Sequence, residues 1–256
     1  MNDTDLISLS KEGNAARLCL QRPPFNMLNL ELLRRFEGHL ETLSRELDAS
    51  ALILEAQVPA FCAGLEPSEL SREGVFLLLE QFHRTARMLC NFPRPTIALV
   101  RGMAFGAGNE LAACCDFVFA SDKASFGQPE IKIGCIPSLA PMLLPSLIGQ
   151  RRALDMILTG KILGAKEAER AGLINSVLPE DQLSTAVEEL VSTFRGLSNA
   201  VIEVALQSVR MSRSQEWNRH LRDAESLYLN DLMDLEDAVE GVRAFVEKRP
   251  PRWRNQ

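Results

Sequence analysis

The pattern of apolar and polar positions changes character about halfway along the 256 residues. In the first half, apolar runs of strand length alternate with longer stretches of helical period. Ile7–Ser10 and Ala16–Leu20 flank Glu12-Gly13-Asn14, which predicts a β-hairpin. Pro23-Pro24 ends that run. Asn29 is placed to cap a helix carrying Leu30, Leu33, Phe36, Leu40 and Leu43 at helical spacing. Ala51–Ala56 (ALILEA) predicts a buried strand, and Pro59–Pro67 a loop. Phe76–Cys90 has helical period again, until Pro93 and Pro95 stop it. Thr96–Val100 predicts a second buried strand, Asn109–Cys115 a short helix, Phe117–Ala120 a third strand and Ala124–Phe126 a fourth.

From Ser138 to Arg249 the pattern is almost wholly helical. The predicted helices are Arg151–Thr159, Ala165–Ala171, Gln182–Arg195, Ala200–Ser212, Trp217–Met233 and Glu236–Lys248, with one late strand at Ile174–Leu178. Strands alternating with helices predict an α/β fold with a mostly parallel sheet. The expected organisation is a core over residues 1–197 and a helical region over 198–256, divided at Leu197-Ser198-Asn199. That tail is too small to stand as a domain of its own and is expected to pack on the core or on a partner.

Composition narrows the function classes. At 46% hydrophobic and 24% charged residues the chain matches globular proteins and can bury a sizeable core, which excludes collagen-like, coiled-coil and disordered readings. A net charge of −6 argues against nucleic acid as the partner. No apolar run reaches the roughly 20 residues of a membrane span. The opening MNDTDLISLSKEG has no basic-then-apolar signal, so a cytoplasmic location is expected. Cysteines 19, 62, 90, 114, 115 and 135 form no CxxC pair, and reduced core thiols are expected rather than a zinc site.

Three segments could carry chemistry. Phe61-Cys62-Ala63-Gly64-Leu65-Glu66 follows one buried strand, and Gly102-Met103-Ala104-Phe105-Gly106-Ala107-Gly108-Asn109-Glu110 follows another. Small residues there allow a ligand close to the backbone, and a helix starting after the glycines favours developing negative charge. Two such N–H groups would make an oxyanion hole. The third segment, Gly127-Gln128-Pro129-Glu130-Ile131, is a turn carrying a carboxylate. Glu110 and Glu130 are the candidate acid–base pair, since two carboxyls in one dry pocket are driven to different protonation states. Each segment taken alone also fits a plain structural role, tight packing for the glycines and a solvated position for either glutamate. The phosphate-loop and GxGxxG patterns are absent, as is a GxSxG elbow. His39, His83 and His220 fall in unrelated predicted helices with no triad pattern.

Taken together, the chain resembles the crotonase superfamily, the enoyl-CoA hydratase/isomerase family, over roughly residues 6–253. The resemblance is carried by FCAGLEPSEL at 61–70, PRPTIALVRGMAFGAGNELAACCDFVFAS at 93–121, ASFGQPEIKIGCIP at 124–137, LTGKILGAKEAERAGLINSVLP at 158–179 and EGVRAFVEKRPPRW at 240–253. It implies a spiral of ββα units with a C-terminal helical trimerisation region, assembled as a trimer or a dimer of trimers. The implied ligand is an acyl-CoA thioester whose carbonyl oxygen sits between the N–H groups of Leu65 and Ala107. Ala107 is a mild departure from the family's usual glycine. Ala63, Gly64, Gly106 and Ser138 are implied around the substrate, with Arg22 in the loop Arg22–Leu28 near a phosphate and Phe245 and Lys248 towards CoA. The plain structural alternative for those last two is helix packing for Phe245 and a solvated face for Lys248.

Glutamates at both positions, Glu110 and Glu130, imply a hydratase in which the pair holds one water, Glu110 acting as base and Glu130 as acid. No cofactor is expected. One segment departs from the family: Ile136-Pro137-Ser138-Leu139-Ala140-Pro141-Met142-Leu143-Leu144-Pro145 lacks its glycines and arginine. Leu139, Pro141 and Met142 are therefore expected to reshape the acyl pocket. That segment resembles the branch hydrating alicyclic dienoyl-CoA esters such as cyclohexa-1,5-diene-1-carbonyl-CoA, with straight-chain 2-enoyl-CoA as the competing substrate. An isomerase or decarboxylase on the same oxyanion hole, and a non-catalytic RNA-binding member, are the alternatives.

Overall fold

A computed structural model of the chain describes residues 6–45, 49–57, 59–72 and 74–255, the side chains of 211–218 excepted. The predicted hairpin forms from β1 (Ile7–Glu12) and β2 (Ala15–Leu20), antiparallel across Gly13-Asn14. Asn29 caps α1 (Leu30–Arg45), its Oδ1 accepting from the Leu32 N–H at 2.9 Å. The remaining strands are β3 (Ala51–Ala56), β4 (Ala60–Cys62), β5 (Thr96–Val100), β6 (Met103–Phe105), β7 (Phe117–Ser121), β8 (Ser125–Gly127), β9 (Ile162–Gly164) and β10 (Ser176–Leu178). β4 corrects the loop expected at 59–67; both β4 and β9 are three-residue strands, too short to show a period.

Two sheets result, in the orders β1-β2-β3-β5-β7-β10 and β4-β6-β8-β9. Apart from the pairs β1/β2 and β8/β9, neighbours run parallel. The chain lays β3 then β4, β5 then β6, and β7 then β8, one strand per sheet each time, and advances one place per pair. Helix α2 (Val75–Cys90) follows the first pair and α3 (Ala107–Cys114) the second, so the α/β fold is a spiral of ββα turns.

The alternation within the large sheet divides the core. Leu52, Leu54, Ala98 and Val100 face α1 and α2 in the main cluster, while Ile53, Ile97 and Leu99 pack on Leu183, Val187 and Val191 of α7 (Glu180–Arg195). Truncating one such leucine to alanine costs about 2–5 kcal/mol. Further helices among the described residues are α4 (Ala140–Ile148), α5 (Gln150–Thr159), α6 (Ala165–Ala171) and α9 (Glu236–Val246).

Between α7 and α9, one helix, α8 (Asn199–Ser226), replaces the two expected at 200–212 and 217–233, and ends in a π-helical turn, Leu227–Leu232. No glycine or proline stands between Gly196 and Gly241, so nothing in the sequence stops the helix at 213–216, where the two expected helices were to part. α8 is tied to the core by Arg210, which grips Asp116 through two nitrogens at 2.5 and 3.1 Å and the Phe92 carbonyl at 2.6 Å. All six cysteines are free, five of them buried. Among the described residues, no helix is long and apolar enough to cross a membrane.

Candidate active site

Strand pairing in the small sheet brings the two glutamates together. β6 lies parallel to β8, with Phe105 opposite Gly127, and the Gly106 N–H donates to the Gly127 carbonyl at 2.9 Å. The segments leaving these strands, 106–110 and 127–130, therefore emerge side by side. Gly106 has φ +54°, and a Cβ there would sit 2.6 Å from Glu130 Oε1, so only glycine admits the carboxylate at this turn.

The first two segments are also pressed together. A Cβ on Gly108 would meet the Cys62 carbonyl at 2.1 Å, and one on Gly64 would touch the Phe105 carbonyl at 3.5 Å. Residues 64–66 form a parallel bridge with Leu28, using the Gly64 carbonyl and the Glu66 N–H, each at 2.9 Å. Successive N–H groups of an extended chain point to opposite sides. The Leu65 N–H thus points away from Leu28 and has no acceptor among the described residues. Nor has the Ala107 N–H, in the first turn of α3, where the helix leaves its donors unpaired. An alanine at 107 keeps this donor.

Both N–H groups belong to residues lining one cavity of about 410 Å³, which also holds Ala63, Gly64, Gly106, Glu110, Glu130, Ser138 and Phe245. Leu70, Leu79, Ile133 and Ile136 supply apolar wall. A mostly apolar cavity of this size with a few converging polar groups is typical of a small-molecule site. A larger groove of about 800 Å³, near the C-terminus, is walled by charged side chains that pair largely with one another, such as Arg249 and Arg243 on Glu240. It holds neither glutamate of the pair, both of which line the smaller cavity.

Glu110 is 2% exposed, and its Oε1 accepts the N–H groups of Leu139 and Ala140, both at 2.6 Å. These donors stand at the N-terminus of α4, where the helix dipole favours negative charge. Burial pushes Glu110 up to about 7, against the pull of those N–H groups and of the Ser138 N–H. Burial first, and the Glu110 charge second, hold Glu130 well above the usual carboxylate range. Glu130 is served instead by a buried amide. In the orientation that satisfies its neighbours, Gln128 donates to both Glu130 oxygens at 3.0 and 3.2 Å and accepts from Asn109 at 3.0 Å. The two carboxyls are thus unequal, one clamped by a helix end and the other by a neutral side chain.

The structure departs from the sequence expectations at several residues. Leu139 points into the core, Met142 packs against it, and Pro141 is exposed, so none of the three lines the cavity. The segment's wall residues are Ile136, Pro137 and Ser138. The cause is α4: its first turn rotates Leu139 inwards and leaves the backbone to face Glu110. Arg22 lies outside the cavity wall and pairs with Glu66 at 2.7 Å. Phe245 stands at the cavity mouth, half-exposed, whereas Lys248 is exposed just beyond α9 and outside the wall.

Gln128, Asn109, Cys135 and Tyr228 also stand at the candidate site, beyond the residues the sequence pattern nominates. Tyr228, on the π-helical turn, is buried, lines the cavity and shares a hydrogen bond with the Cys135 thiol. Its rank as the chain's single tyrosine was the one available signal. Among the described residues, no group of three or more His, Cys, Asp or Glu side chains is placed to hold a metal ion.

Comparison with known proteins decides the family, because residues 10–256 match the enoyl-CoA hydratase/isomerase model. The chain belongs to the enoyl-CoA hydratase/isomerase family. It is 33% identical over 251 residues to cyclohexa-1,5-dienecarbonyl-CoA hydratase of Thauera aromatica, covering 97% of this chain and 96% of that one. It is 32% identical to enoyl-CoA hydratase domain-containing protein 3 of Mus musculus, covering 97% of this chain and 84% of the other. Among solved structures, an enoyl-CoA hydratase/isomerase from Pseudoalteromonas atlantica superposes with a TM-score of 0.86 at 27% identity, covering 97% of this chain and 100% of that one. The fold is shared with an enoyl-CoA hydratase from Mycobacterium avium subsp. paratuberculosis, with a TM-score of 0.87 at 23% identity and coverage of 98% and 99%. The Thauera aromatica and Mycobacterium avium proteins carry the names of hydratases, and a hydro-lyase activity is consistent with this member's place in the family.

Proposed function

We propose that this member adds water reversibly to the conjugated double bond of an acyl-CoA thioester. The observation that carries the proposal is the convergence of two unequal carboxyls and two unpaired backbone N–H groups on one cavity. The thioester oxygen lies between the N–H groups of Leu65 and Ala107, which polarises C2=C3. Glu110 and Glu130 hold one water. Its oxygen bonds to C3 while one of its protons passes to Glu110, and Glu130 delivers its own proton to C2. The charge that builds on the thioester oxygen is met by the two N–H groups, and a single such donor is typically worth roughly 3–4 kcal/mol of barrier. Each proton the reaction moves has a group on this chain to carry it, so the proposed chemistry asks for no metal or redox cofactor.

For the acyl group, the likeness to the Thauera aromatica cyclohexa-1,5-dienecarbonyl-CoA hydratase supports a ring-shaped dienoyl thioester. The apolar wall of Leu70, Leu79, Ile133 and Ile136 is compatible with a hydrocarbon ring. Phe245 at the mouth, with Arg22 and Lys248 outside the cavity, is proposed to serve the CoA moiety. We also propose assembly as a trimer or dimer of trimers through the helical region 198–256, where Val201, Val204 and Leu227 are 67%, 64% and 54% exposed. Light scattering checks this, and a monomer would refute it.

The test of function is the loss of conjugated-thioester absorbance with crotonyl-CoA and with cyclohexa-1,5-diene-1-carbonyl-CoA, for wild type and Glu130→Gln. The expected result is turnover of at least one thioester, reduced about 10²–10⁴-fold in the variant. A variant within about threefold of wild type would remove Glu130 from the role. Faster turnover of a 3-enoyl-CoA than of either thioester would instead favour an isomerase.

A further inference from the structure

One polar atom of the cavity wall has no part in the chemistry so far. Ser138 is 7% exposed, and its Oγ is buried without a hydrogen-bond partner among the described residues. Buried hydroxyls almost always have a partner, so an orphan beside a cavity points to a ligand atom that completes it. The residue lines the cavity together with Glu110 and Glu130 and immediately precedes the two N–H groups that clamp Glu110. Rotation about its single side-chain torsion carries the hydroxyl between staggered positions, and a serine hydroxyl both donates and accepts.

We propose that the Ser138 hydroxyl is a catalytic group that fixes the attacking water by donating a hydrogen bond to one of its lone pairs. The inference rests on the hydratase reading. Water has four tetrahedral directions. Its two hydrogens go to the carboxyls of Glu110 and Glu130, and Ser138 takes one lone pair, which leaves the other aimed at C3. Two carboxyls alone let the water swivel about the line between them, and the third contact removes that freedom. In the reverse direction the C3–O bond breaks, the oxygen regains a proton from Glu110, and Glu130 takes the proton from C2. Ser138 then donates to the departing oxygen while negative charge builds on it.

The experiment compares Ser138→Ala with wild type in two reactions. The first is hydration of whichever thioester the wild type turns over. The second is exchange of the C2 proton of butyryl-CoA with deuterated solvent, which uses the thioester contacts and Glu130, acting as base in the form where the pair's one proton sits on Glu110, but adds no water. The expected result for the variant is a kcat for hydration lowered about 10- to 100-fold. Its KM and its exchange rate should stay within about twofold of wild type. Equal hydration in the two proteins overturns the role of Ser138 and leaves the hydratase reading standing. A matching fall in hydration and exchange overturns it too, since that marks a distorted site. A wild type that exchanges the C2 proton yet hydrates neither thioester overturns both readings.

Discussion

Replacing Glu110 by glutamine should stabilise this protein while disabling it. The carboxyl is fully buried, and its pKa stands at about 7 where an unfolded chain would have 4.5. A raised carboxyl pKa means that the folded state holds the proton more tightly than the unfolded state. The contribution of Glu110 to stability is therefore most favourable below pH 4.5, falls as pH rises from there to about 7, and is constant above. At about 1.4 kcal/mol per pKa unit, the full penalty above neutrality is about 3 kcal/mol. Glutamine keeps the shape and an acceptor for the Leu139 and Ala140 N–H groups but never ionises. Urea unfolding of wild type and Glu110→Gln, at equal protomer concentration, is the assay. The variant should gain about 1 kcal/mol at about pH 5 and about 3 kcal/mol at about pH 8.5. Its hydration rate should fall about 10²–10⁴-fold with the base removed. A gain that fails to grow with pH would refute the claim that burial, rather than the helix end, dominates the state of Glu110.

Three other outcomes follow from the same geometry. The kcat/KM profile should climb tenfold per pH unit up to about 7, as Glu110 ionises, and fall on the alkaline side only where Glu130 loses its proton; an activity maximum below about pH 6 would reverse the assignment of base and acid. Gly108→Ala drives a Cβ to 2.1 Å from the Cys62 carbonyl, and should lower stability by about 3 kcal/mol and move the unpaired Leu65 and Ala107 N–H groups apart; an unchanged Tm with full turnover would contradict that packing. Tyr228→Phe removes the hydrogen bond to Cys135 and should cost about 1 kcal/mol in urea unfolding. The same variant should keep hydration within about tenfold, because burial keeps this phenol protonated at neutral pH, and a loss beyond about 10²-fold would make it an acid in the reaction.

The longer strands of the large sheet and α1 are legible in the sequence because their side chains answer to fixed neighbour layers, whereas α8, the longest helix, reads as two. Ile53 and Ile97 against Leu52 and Ala98 show the period of strands covered on both faces, and α1 carries its apolar stripe openly. The three-residue strands β4, β6 and β9 carry no period, and only their partners in the second sheet define them. The site was legible as residue types and illegible as distance. Glu110 and Glu130 are twenty positions apart in sequence, and it is the β6–β8 pairing that makes them neighbours. In the segment 136–145 the apolar residues suggest pocket walls, but residue type alone does not give the direction in which each points. Leu139 instead turns inwards at the start of α4, and the part facing the site is backbone.

That backbone explains why two glutamates in one cavity settle into different states. Glu110 rests on the end of α4, where two N–H groups and the helix dipole support a charge. Glu130, which receives the Gln128 amide that Asn109 holds, stands at no helix end, and burial and then the Glu110 charge hold it well above the usual carboxylate range. On the proposed chemistry the cavity then carries one negative charge throughout. It begins on Glu110 and leaves that group as the water proton arrives. It appears on the thioester oxygen between Leu65 and Ala107, where α3 offers a second helix end, and it finishes on Glu130 when C2 takes the proton. At no stage do two charges share the low-dielectric space, where their repulsion would be several times stronger than in water. Each resting place is built from fixed donors that need no rearrangement as the charge arrives. The stability lost to burying Glu110 is thus the counterpart of a site in which charge moves between prepared positions, and this is why removing that carboxylate should strengthen the fold and end the catalysis together.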